Sequence, residues 1–155
     1  MIENIVKQVD KFLLKNKLTV AVAESCTGGL TSNLLTQIPG SSKYFILGII
    51  AYHNSAKIKI LKIPASLIIK KGAVSQEIAV RMAKSVRILA KTDFGIGITG
   101  IAGPTGATAA KPVGTVFIAL VSKNKIICRK FNFAGRRLSV KKLAAVKSLQ
   151  LLITL

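Results

Sequence analysis

Residues 18–29 have the sequence LTVAVAESCTGG, in which an apolar run is followed at once by small and polar residues. The run from Leu18 to Ala23 is short and rich in β-branched residues, which is typical of a buried strand. The Gly28-Gly29 pair indicates a turn, and the residues after it have helical spacing up to Pro39. We therefore predict a strand, a tight turn and a helix over about 28–37, the unit from which α/β folds are built.

The rest of the chain continues this alternation of short apolar runs and amphipathic segments. Further helices are predicted over residues 2–13, 55–61, 78–91 and 140–152, and further strands over residues 44–52, 94–99, 113–121 and 125–133. Ser75 is a candidate N-cap for the helix that follows it. The strand over 44–52, YFILGIIAY, is expected to be buried like the first. The last two strands form a hairpin, so we expect an α/β sandwich with a mixed, partly parallel sheet.

Length and composition indicate one domain over residues 1–155. The chain is 50% hydrophobic with a mean hydropathy of +0.51, which excludes an intrinsically disordered protein. Two cysteines are too few for a disulfide scaffold. The longest uncharged apolar stretch, residues 44–52, is too short to cross the ~30 Å core of a bilayer. Glu3 and Asp10 interrupt the start of the chain, so we expect no secretion signal and a cytoplasmic protein.

The net charge is the unusual feature of the composition. There are 24 basic residues against 5 acidic ones, a formal charge of +19. Such a charge can indicate a nucleic-acid partner. Here the excess is mostly lysine and is spread along the chain, and aromatic residues are few. We therefore favour a compositional drift toward lysine and isoleucine over dedicated nucleic-acid binding.

Ser25 is the first candidate for chemistry, because it lies where the first strand turns into a helix. A hydroxyl there is expected to be exposed at the sheet edge, with the amides of Thr27, Gly28 and Gly29 facing a ligand. This arrangement would suit a nucleophile beside a site for an oxyanion or a phosphate. The simpler alternative is that Ser25 or Thr27 only caps the helix.

A nucleophilic serine needs a base. The single histidine, His53, could complete a triad with Ser25 only through Glu24, Glu77 or Asp93. Nothing in the spacing of these residues supports such a triad.

A lysine is the alternative base, provided that burial or neighbouring positive charge lowers its pKa. Lys57 belongs to the segment YHNSAK (52–57), which begins where the second strand ends. Tyr52 and Lys57 could therefore enter the same crevice as Ser25, with Asn54 fixing the turn. The alternative for Lys57 is a solvated surface lysine.

A glycine-rich loop, TGIAGPTG, occupies residues 99–106. Its glycines, among them Gly100 and Gly103, would let the backbone approach a ligand, although such a loop is more often only a turn. It is not the phosphate loop of nucleoside triphosphatases, because glycine-lysine-serine/threonine is missing at the needed spacing. One histidine, two distant cysteines and few carboxylates lead us to expect no metal site. Cys26, beside Ser25, could be a nucleophile at a helix N-terminus, but we expect it to pack as a small hydrophobic residue and Cys128 to lie in the core.

These stretches, taken in order, resemble the CinA C-terminal domain family, whose characterised members include PncC-type nicotinamide-nucleotide amidases. The resemblance covers nearly the whole chain. The N-terminal domain of longer members has no counterpart, so we expect a stand-alone form. The motifs that resemble the family are AESCTGGL (23–30), IPGSSKYF (38–45), AYHNSAK (51–57), GAVSQEIAVRMA (72–83), ITGIAGPTG (98–106) and KPVGTVFIAL (111–120).

The resemblance implies a three-layer α/β/α sandwich of about five strands and an amidase without a cofactor. The family hydrolyses the carboxamide of nicotinamide mononucleotide to nicotinic acid mononucleotide and ammonia. Its catalytic serine, lysine, tyrosine and threonine match Ser25, Lys57, Tyr52 and Thr99. Members commonly form homo-oligomers, so a homodimer is expected.

Two departures from the family pattern bear on this expectation. The family tends to have Gly-Asp-Arg near the C-terminus, whereas this chain has Gly135-Arg136-Arg137. Arg137 is still expected to hold the phosphate of the ligand. His53 stands where a serine or threonine is more frequent and could alter the pKa of Lys57. Two other classes stay open: a non-catalytic nucleotide-binding or competence/DNA-damage-associated module, and a nucleic-acid binder.

Overall fold

The computed structural model describes residues 2–154 and shows five strands in one sheet with helices on both faces. The strand order is β2-β1-β3-β4-β5; β1 is parallel to β2 and β3, and the pairs β3–β4 and β4–β5 are antiparallel. This confirms the predicted α/β fold with a mixed, partly parallel sheet. In chain order the elements are α1 (Ile2–Asn16), β1 (Val20–Glu24), α2 (Leu30–Leu35), a 3₁₀ turn (Ser41–Lys43), β2 (Phe45–Ile50), α3 (Asn54–Lys59), α4 (Ala65–Lys71), α5 (Gln76–Ala90), β3 (Phe94–Gly100), β4 (Thr115–Val121), β5 (Ile126–Asn132) and α6 (Arg137–Leu152).

The side chains of β1 alternate between the two faces of the sheet. Val20 and Val22 belong to the core that α1, α2 and α6 cover. Ala21 and Ala23 belong to the core on the other face, beneath α4 and α5. Since successive side chains of a strand point to opposite faces, the alternation carries Glu24 toward α2 and α6 and the next residue, Ser25, toward the opposite helices.

Two glycines of β3 allow α5 to pack directly on the sheet. A Cβ on Gly97 would overlap the carbonyl oxygen of Ala79, and a Cβ on Gly95 would overlap that of Ala83. Ser75 caps α5 by accepting a hydrogen bond from the Ile78 amide, as its place in the sequence predicted. The close contact with β3 places the segment before α5 over the end of that strand.

The second strand is not buried as predicted. Along β2 the residues alternate between partly buried and exposed, and Ile50 is 54% exposed. The reason is its place at the edge of the sheet, where only β1 pairs with it. An apolar run by itself does not distinguish an edge strand from a central one.

Other element boundaries also differ from the prediction. The helix after β1 begins only at Leu30, because Gly28 and Gly29 have positive φ angles of 61° and 95° and form a turn first. The helix at the C-terminus begins at Arg137 rather than at residue 140. The short helix α4 was not predicted. No helix within residues 2–154 combines the length and apolar character needed to span a bilayer.

Replacing Gly97 with alanine should destabilise the fold, since the added methyl must push α5 away from β3. We expect the free energy of unfolding in denaturant titrations to fall by about 1–3 kcal/mol. The exposed α5 residue Arg81 supplies the control, because Arg81→Ala should change it by no more than about 0.5 kcal/mol. A Gly97→Ala protein as stable as the wild type would contradict the packing described for α5.

Candidate active site

Lys57 differs from every other basic residue of the chain in being buried. All 24 lysines and arginines lie within residues 2–154, and Lys57, at 2% exposure, is the only one of them in the buried class. Its Nζ lies 3.1 Å from the Oγ of Ser25, with which it forms a hydrogen bond. Ser25 is itself only 8% exposed, so the expectation of an exposed hydroxyl is wrong. The view of Lys57 as a solvated surface lysine is also wrong.

The parallel part of the sheet brings these two residues together. Ser25 directly follows β1, and its amide donates to the carbonyl of Ile98 in β3 at 3.0 Å. Lys57 lies in α3, which begins four residues after β2 ends at Ile50. Because β1 and β2 are parallel, both segments leave the sheet at the same edge. One turn of α3 then carries Lys57 back over the end of β1.

Backbone oxygens complete the surroundings of the Lys57 amine. Nζ donates to the carbonyl of Ala51 at 2.9 Å and to that of Tyr52 at 3.1 Å. Burial lowers the pKa of Lys57 below its ordinary value of 10.5, and the smaller influence of Cys26 acts in the other direction. A neutral amine has two hydrogens and one lone pair. The two carbonyls can accept the hydrogens, which leaves the lone pair for the Ser25 hydroxyl.

His53 has a structural role and is not paired with Ser25. Its Nδ1 accepts a hydrogen bond from the Ser55 amide at 3.1 Å and lies 2.8 Å from the Ser55 hydroxyl. His53 is therefore the N-cap of α3, the helix that carries Lys57. A serine–histidine triad is not formed.

A cavity of about 320 Å³ opens above the Ser25–Lys57 pair. This volume lies at the lower end of the range for small-molecule sites, roughly 300–1,000 Å³. The walls come from the segments after β1, β2 and β3, from the segment before α5 and from the start of α6. The lining residues are Ser25, Cys26, Tyr52, Asn54, Lys57, Ala73, Val74, Thr99, Gly100, Ile101, Ala102, Gly103, Thr105, Gly106 and Arg137.

Arg137 joins two walls of the cavity. Its Nη2 donates to the hydroxyl of Tyr52 at 2.7 Å, and its Nη1 donates to the carbonyl of Gly103 at 2.8 Å. The Tyr52 oxygen accepts in the first of these bonds, so its own hydrogen is free to point toward a ligand. Arg137 is the first residue of α6, and the neighbouring Arg136 is the N-cap and makes no capping bond with its side chain.

Thr99 is buried at the end of β3, on the face of the sheet covered by α5. Its hydroxyl donates to the carbonyl of Ala73 at 2.8 Å. With its hydrogen engaged in this way, the Thr99 oxygen can act toward a ligand only as an acceptor. Gly100 and Gly103 line the same cavity.

Contrary to the prediction, the turn after Ser25 does not face this cavity. The Gly29 amide donates to Glu24 Oε2 at 3.0 Å, and the Gly28 amide donates to the Ser25 carbonyl at 3.1 Å. Thr27, Gly28 and Gly29 line a separate cavity beside Lys141 and Lys142. The structure therefore places these three residues away from the cavity above Ser25, and the amides of Gly28 and Gly29 are used to close the turn.

The structure adds residues that the sequence analysis did not assign to the site. Glu24, considered only as the acid of a triad, holds the turn after Ser25. Lys111 holds the cavity wall, since its Nζ donates to the carbonyl of Val74 at 2.6 Å. A lysine bound to backbone carbonyls has no partner that a sequence pattern identifies. The wall residues Ala73 and Val74 contribute backbone carbonyls to these bonds, so no sequence pattern identifies them either.

Cys26 is adjacent to Ser25 but is not a second nucleophile. Burial raises the pKa of its thiol to about 12, so it stays protonated near neutral pH. It packs in the core beneath α1, α2 and α6, as predicted. Within residues 2–154 no group of three or more histidine, cysteine, aspartate or glutamate side chains is placed to hold a metal ion.

The fold and this site define an α/β/α domain with a buried serine–lysine pair, and comparison with known proteins assigns it to a family. The family model described as "CinA C-terminal domain" matches residues 2–155. The chain belongs to the CinA C-terminal domain family. A CinA-like protein from Amoebophilus asiaticus is 44% identical over 150 residues, which are 97% of this chain and 36% of that protein. A CinA-like protein from Geotalea uraniireducens is 50% identical over 119 residues, 77% of this chain and 28% of that protein. The chain thus spans about a third of the length of these relatives.

Solved structures of the superfamily have the same architecture. A competence-damaged protein (CinA) superfamily protein from Escherichia coli superposes with a TM-score of 0.95 at 33% identity, covering 100% of this chain and 91% of that one. A competence/damage inducible protein from Agrobacterium tumefaciens gives a TM-score of 0.96 at 33% identity, covering 99% and 94%.

The buried position of Lys57 predicts a specific dependence of stability on pH. Its pKa is lowered in the folded protein, so above that pKa and up to about 10.5 the unfolded chain binds more protons at this residue than the folded one. The free energy of unfolding of the wild type should therefore rise with pH in this window. This part of the rise should be absent from Lys57→Met. Denaturant titrations of both proteins across the alkaline range measure the difference. A difference that is flat or falls with pH would contradict the lowered pKa.

Proposed function

We propose that this domain is a serine–lysine amidase that hydrolyses the carboxamide of a pyridine mononucleotide, converting nicotinamide mononucleotide to nicotinic acid mononucleotide and ammonia. The observation that carries the proposal is the 3.1 Å contact between Lys57 Nζ and Ser25 Oγ beneath a cavity. The choice of substrate follows the resemblance of the motifs to those of nicotinamide-nucleotide amidases.

The first half of the reaction forms an acyl-enzyme. Neutral Lys57 takes the proton of the Ser25 hydroxyl as Oγ attacks the carboxamide carbon. The tetrahedral intermediate then breaks its C–N bond, and Lys57 returns the proton to the nitrogen, which leaves as ammonia. The hydroxyl of Tyr52, whose hydrogen is free, can relay this proton. Ser25 is left as an ester of the pyridine carboxylic acid.

The second half restores the enzyme. Lys57 takes a proton from water as the water oxygen attacks the ester carbon. The bond from the acyl carbon to Oγ breaks, the proton passes to Oγ, and the carboxylic acid product is released. Both halves need Lys57 to be neutral at their start, which its burial favours.

Groups around Ser25 suit the carboxamide. The amide of Cys26 follows the nucleophile directly, and with the amide of Gly100 it is our candidate for holding the negative oxygen of the intermediate. The Thr99 oxygen, which can only accept, suits an N–H of the substrate's amino group. These contacts would fix the carboxamide plane against Ser25.

Arg137 is the candidate partner for the phosphate of the nucleotide. The pyridinium ring is positively charged and gains nothing from a chain of net charge +19, so the phosphate must supply the electrostatic attraction. The Arg137 guanidinium has five N–H donors, and its two hydrogen bonds to Tyr52 and Gly103 leave others free.

The activity is tested by incubating the purified protein with nicotinamide mononucleotide and measuring ammonia. We expect release by the wild type and none by Ser25→Ala. Lys57→Ala should lower kcat by about 10²–10⁴-fold, as expected for loss of a general base. Lys57→Arg should not restore it, because arginine stays protonated.

Other outcomes would assign the domain differently. Near-normal turnover by Ser25→Ala would contradict the choice of nucleophile. Rescue by Lys57→Arg would indicate a purely electrostatic role for the lysine. Calorimetric binding of the nucleotide without ammonia release would favour a non-catalytic nucleotide-binding module. Affinity for nucleic acid that falls steeply with salt and competes with the mononucleotide would favour a nucleic-acid binder.

The role of Arg137 is tested by Arg137→Met. Loss of a hydrogen bond to a charged group typically costs about 1.5–3 kcal/mol, so we expect KM for the mononucleotide to rise by roughly 10–100-fold. The corresponding nucleoside, which lacks the phosphate, is the matched control and should show little change in kcat/KM. An equal loss with both substrates would show that Arg137 acts through Tyr52 and Gly103 instead.

A further inference from the structure

The carboxylate directly before the nucleophile is fully buried and forms no salt bridge with any of residues 2–154. Glu24 is 0% exposed. Within residues 2–154 the one salt bridge is the surface pair Lys71–Glu77, so Glu24 is not neutralised by an ion pair. A buried charge is costly unless hydrogen bonds compensate it. The hydrogen-bond donors around Glu24 must therefore compensate for the burial of its charge.

Those donors come from the segment that follows the nucleophile. Oε2 accepts from the amides of Gly29 at 3.0 Å and Thr31 at 3.1 Å. Oε1 accepts from the amide of Ser32 at 2.8 Å and from the Ser32 hydroxyl at 2.6 Å. The carboxylate thus fastens the start of α2 to the last residue of β1, and the turn that contains Ser25 is closed between these two points.

The backbone on either side of Ser25 is held from the sheet as well. The carbonyl of Glu24 accepts from the Ala51 amide at 2.8 Å, beside the segment that supplies Lys57. The Ser25 amide donates to Ile98 in β3, and the Ser25 carbonyl accepts from Gly28. The strand bonds fix where the turn begins, and the Glu24 carboxylate fixes where it ends.

We propose that Glu24 is a positioning residue for the Ser25 nucleophile: its carboxylate acts through the turn to hold Ser25 Oγ at hydrogen-bonding distance from Lys57 Nζ. Its carboxylate is bonded to the start of α2, on the opposite face of the sheet from Lys57, and Glu24 is not among the residues that line the cavity. In Glu24→Gln the amide keeps the length of the side chain, but its NH₂ group faces N–H donors. The turn must then shift, and a displacement of about 1 Å at a nucleophile can cost 10²-fold in rate.

The test uses the rate at which Ser25 is labelled by a fluorophosphonate, a reagent that requires an activated serine and no nucleotide. We expect labelling of folded Glu24→Gln to be about 100-fold slower than that of the wild type, by intact-mass measurement. With the mononucleotide, which rests on the proposed function, kcat should fall to a similar extent while KM changes little. Binding through Arg137 does not depend on the turn.

Two variants separate positioning from a general loss of stability. Thr31→Val removes the buried hydroxyl near Ser148 but keeps the Thr31 amide that binds Glu24, so it should lower stability and leave labelling close to the wild-type rate. Ser32→Ala removes only the hydroxyl bond to Glu24 and should slow labelling by a smaller factor than Glu24→Gln. If Glu24→Gln does not fold, Ser32→Ala decides.

The results that would overturn the proposal are specific. Wild-type labelling rates in a folded Glu24→Gln protein would do so, as would equal losses in Thr31→Val. With Glu24→Gln unfolded, a folded Ser32→Ala that labels at the wild-type rate would do so. A wild type that is labelled at Ser25 yet releases no ammonia would contradict the proposed function and leave the positioning role standing. A wild type that is neither labelled at Ser25 nor releases ammonia would contradict both. If it releases ammonia without being labelled, kcat with the mononucleotide decides, and an unchanged kcat in folded Glu24→Gln would overturn the positioning role.

Discussion

The site depends on the burial of one lysine among two dozen basic side chains. Removing Nζ from water disfavours its charged form, and the groups that receive it are a hydroxyl and two carbonyl oxygens rather than a carboxylate. A carboxylate there would stabilise the ammonium and remove the base. The burial of Lys57 is informative because the chain has a net charge of +19 and all its other lysines and arginines are at least partly exposed.

The sheet explains why the groups of the site converge. Ser25 follows β1, Tyr52 and Lys57 follow β2, and Thr99 lies near the end of β3. These three strands are mutually parallel, so their carboxyl ends lie at the same end of the sheet. The alternation of side chains along β1 then gives two neighbouring residues different roles. Glu24 points to the α2 side and fastens the turn, while Ser25 points to the α3 side and meets the lysine.

The sequence was sufficient for the fold class, because periodicity and strand ends determine which segments leave the sheet at the same end. It brought the segment of Lys57 to the end where Ser25 lies, but the choice of Lys57 as base over a solvated surface lysine came from the family resemblance. It was insufficient where the deciding interaction was a particular hydrogen bond. The Gly28-Gly29 turn suggested amides free for a ligand, but the Gly29 amide donates to the Glu24 carboxylate. No sequence pattern predicts that this carboxylate takes the place of a ligand. The exposure of β2 was missed for a related reason, since its neighbours, not its own residues, place it at the sheet edge.

The most direct test of the central claim is the titration of the Lys57 amine by NMR in protein carrying ¹⁵N-labelled lysine, with Lys57→Met assigning the signal. A lysine that serves as base for Ser25 should lose its proton well below the ordinary pKa of 10.5, and apart from the other lysine signals. A Lys57 that titrates with the surface lysines, or above them, would mean that the amine is charged when Ser25 must be activated, and the serine–lysine mechanism would be wrong.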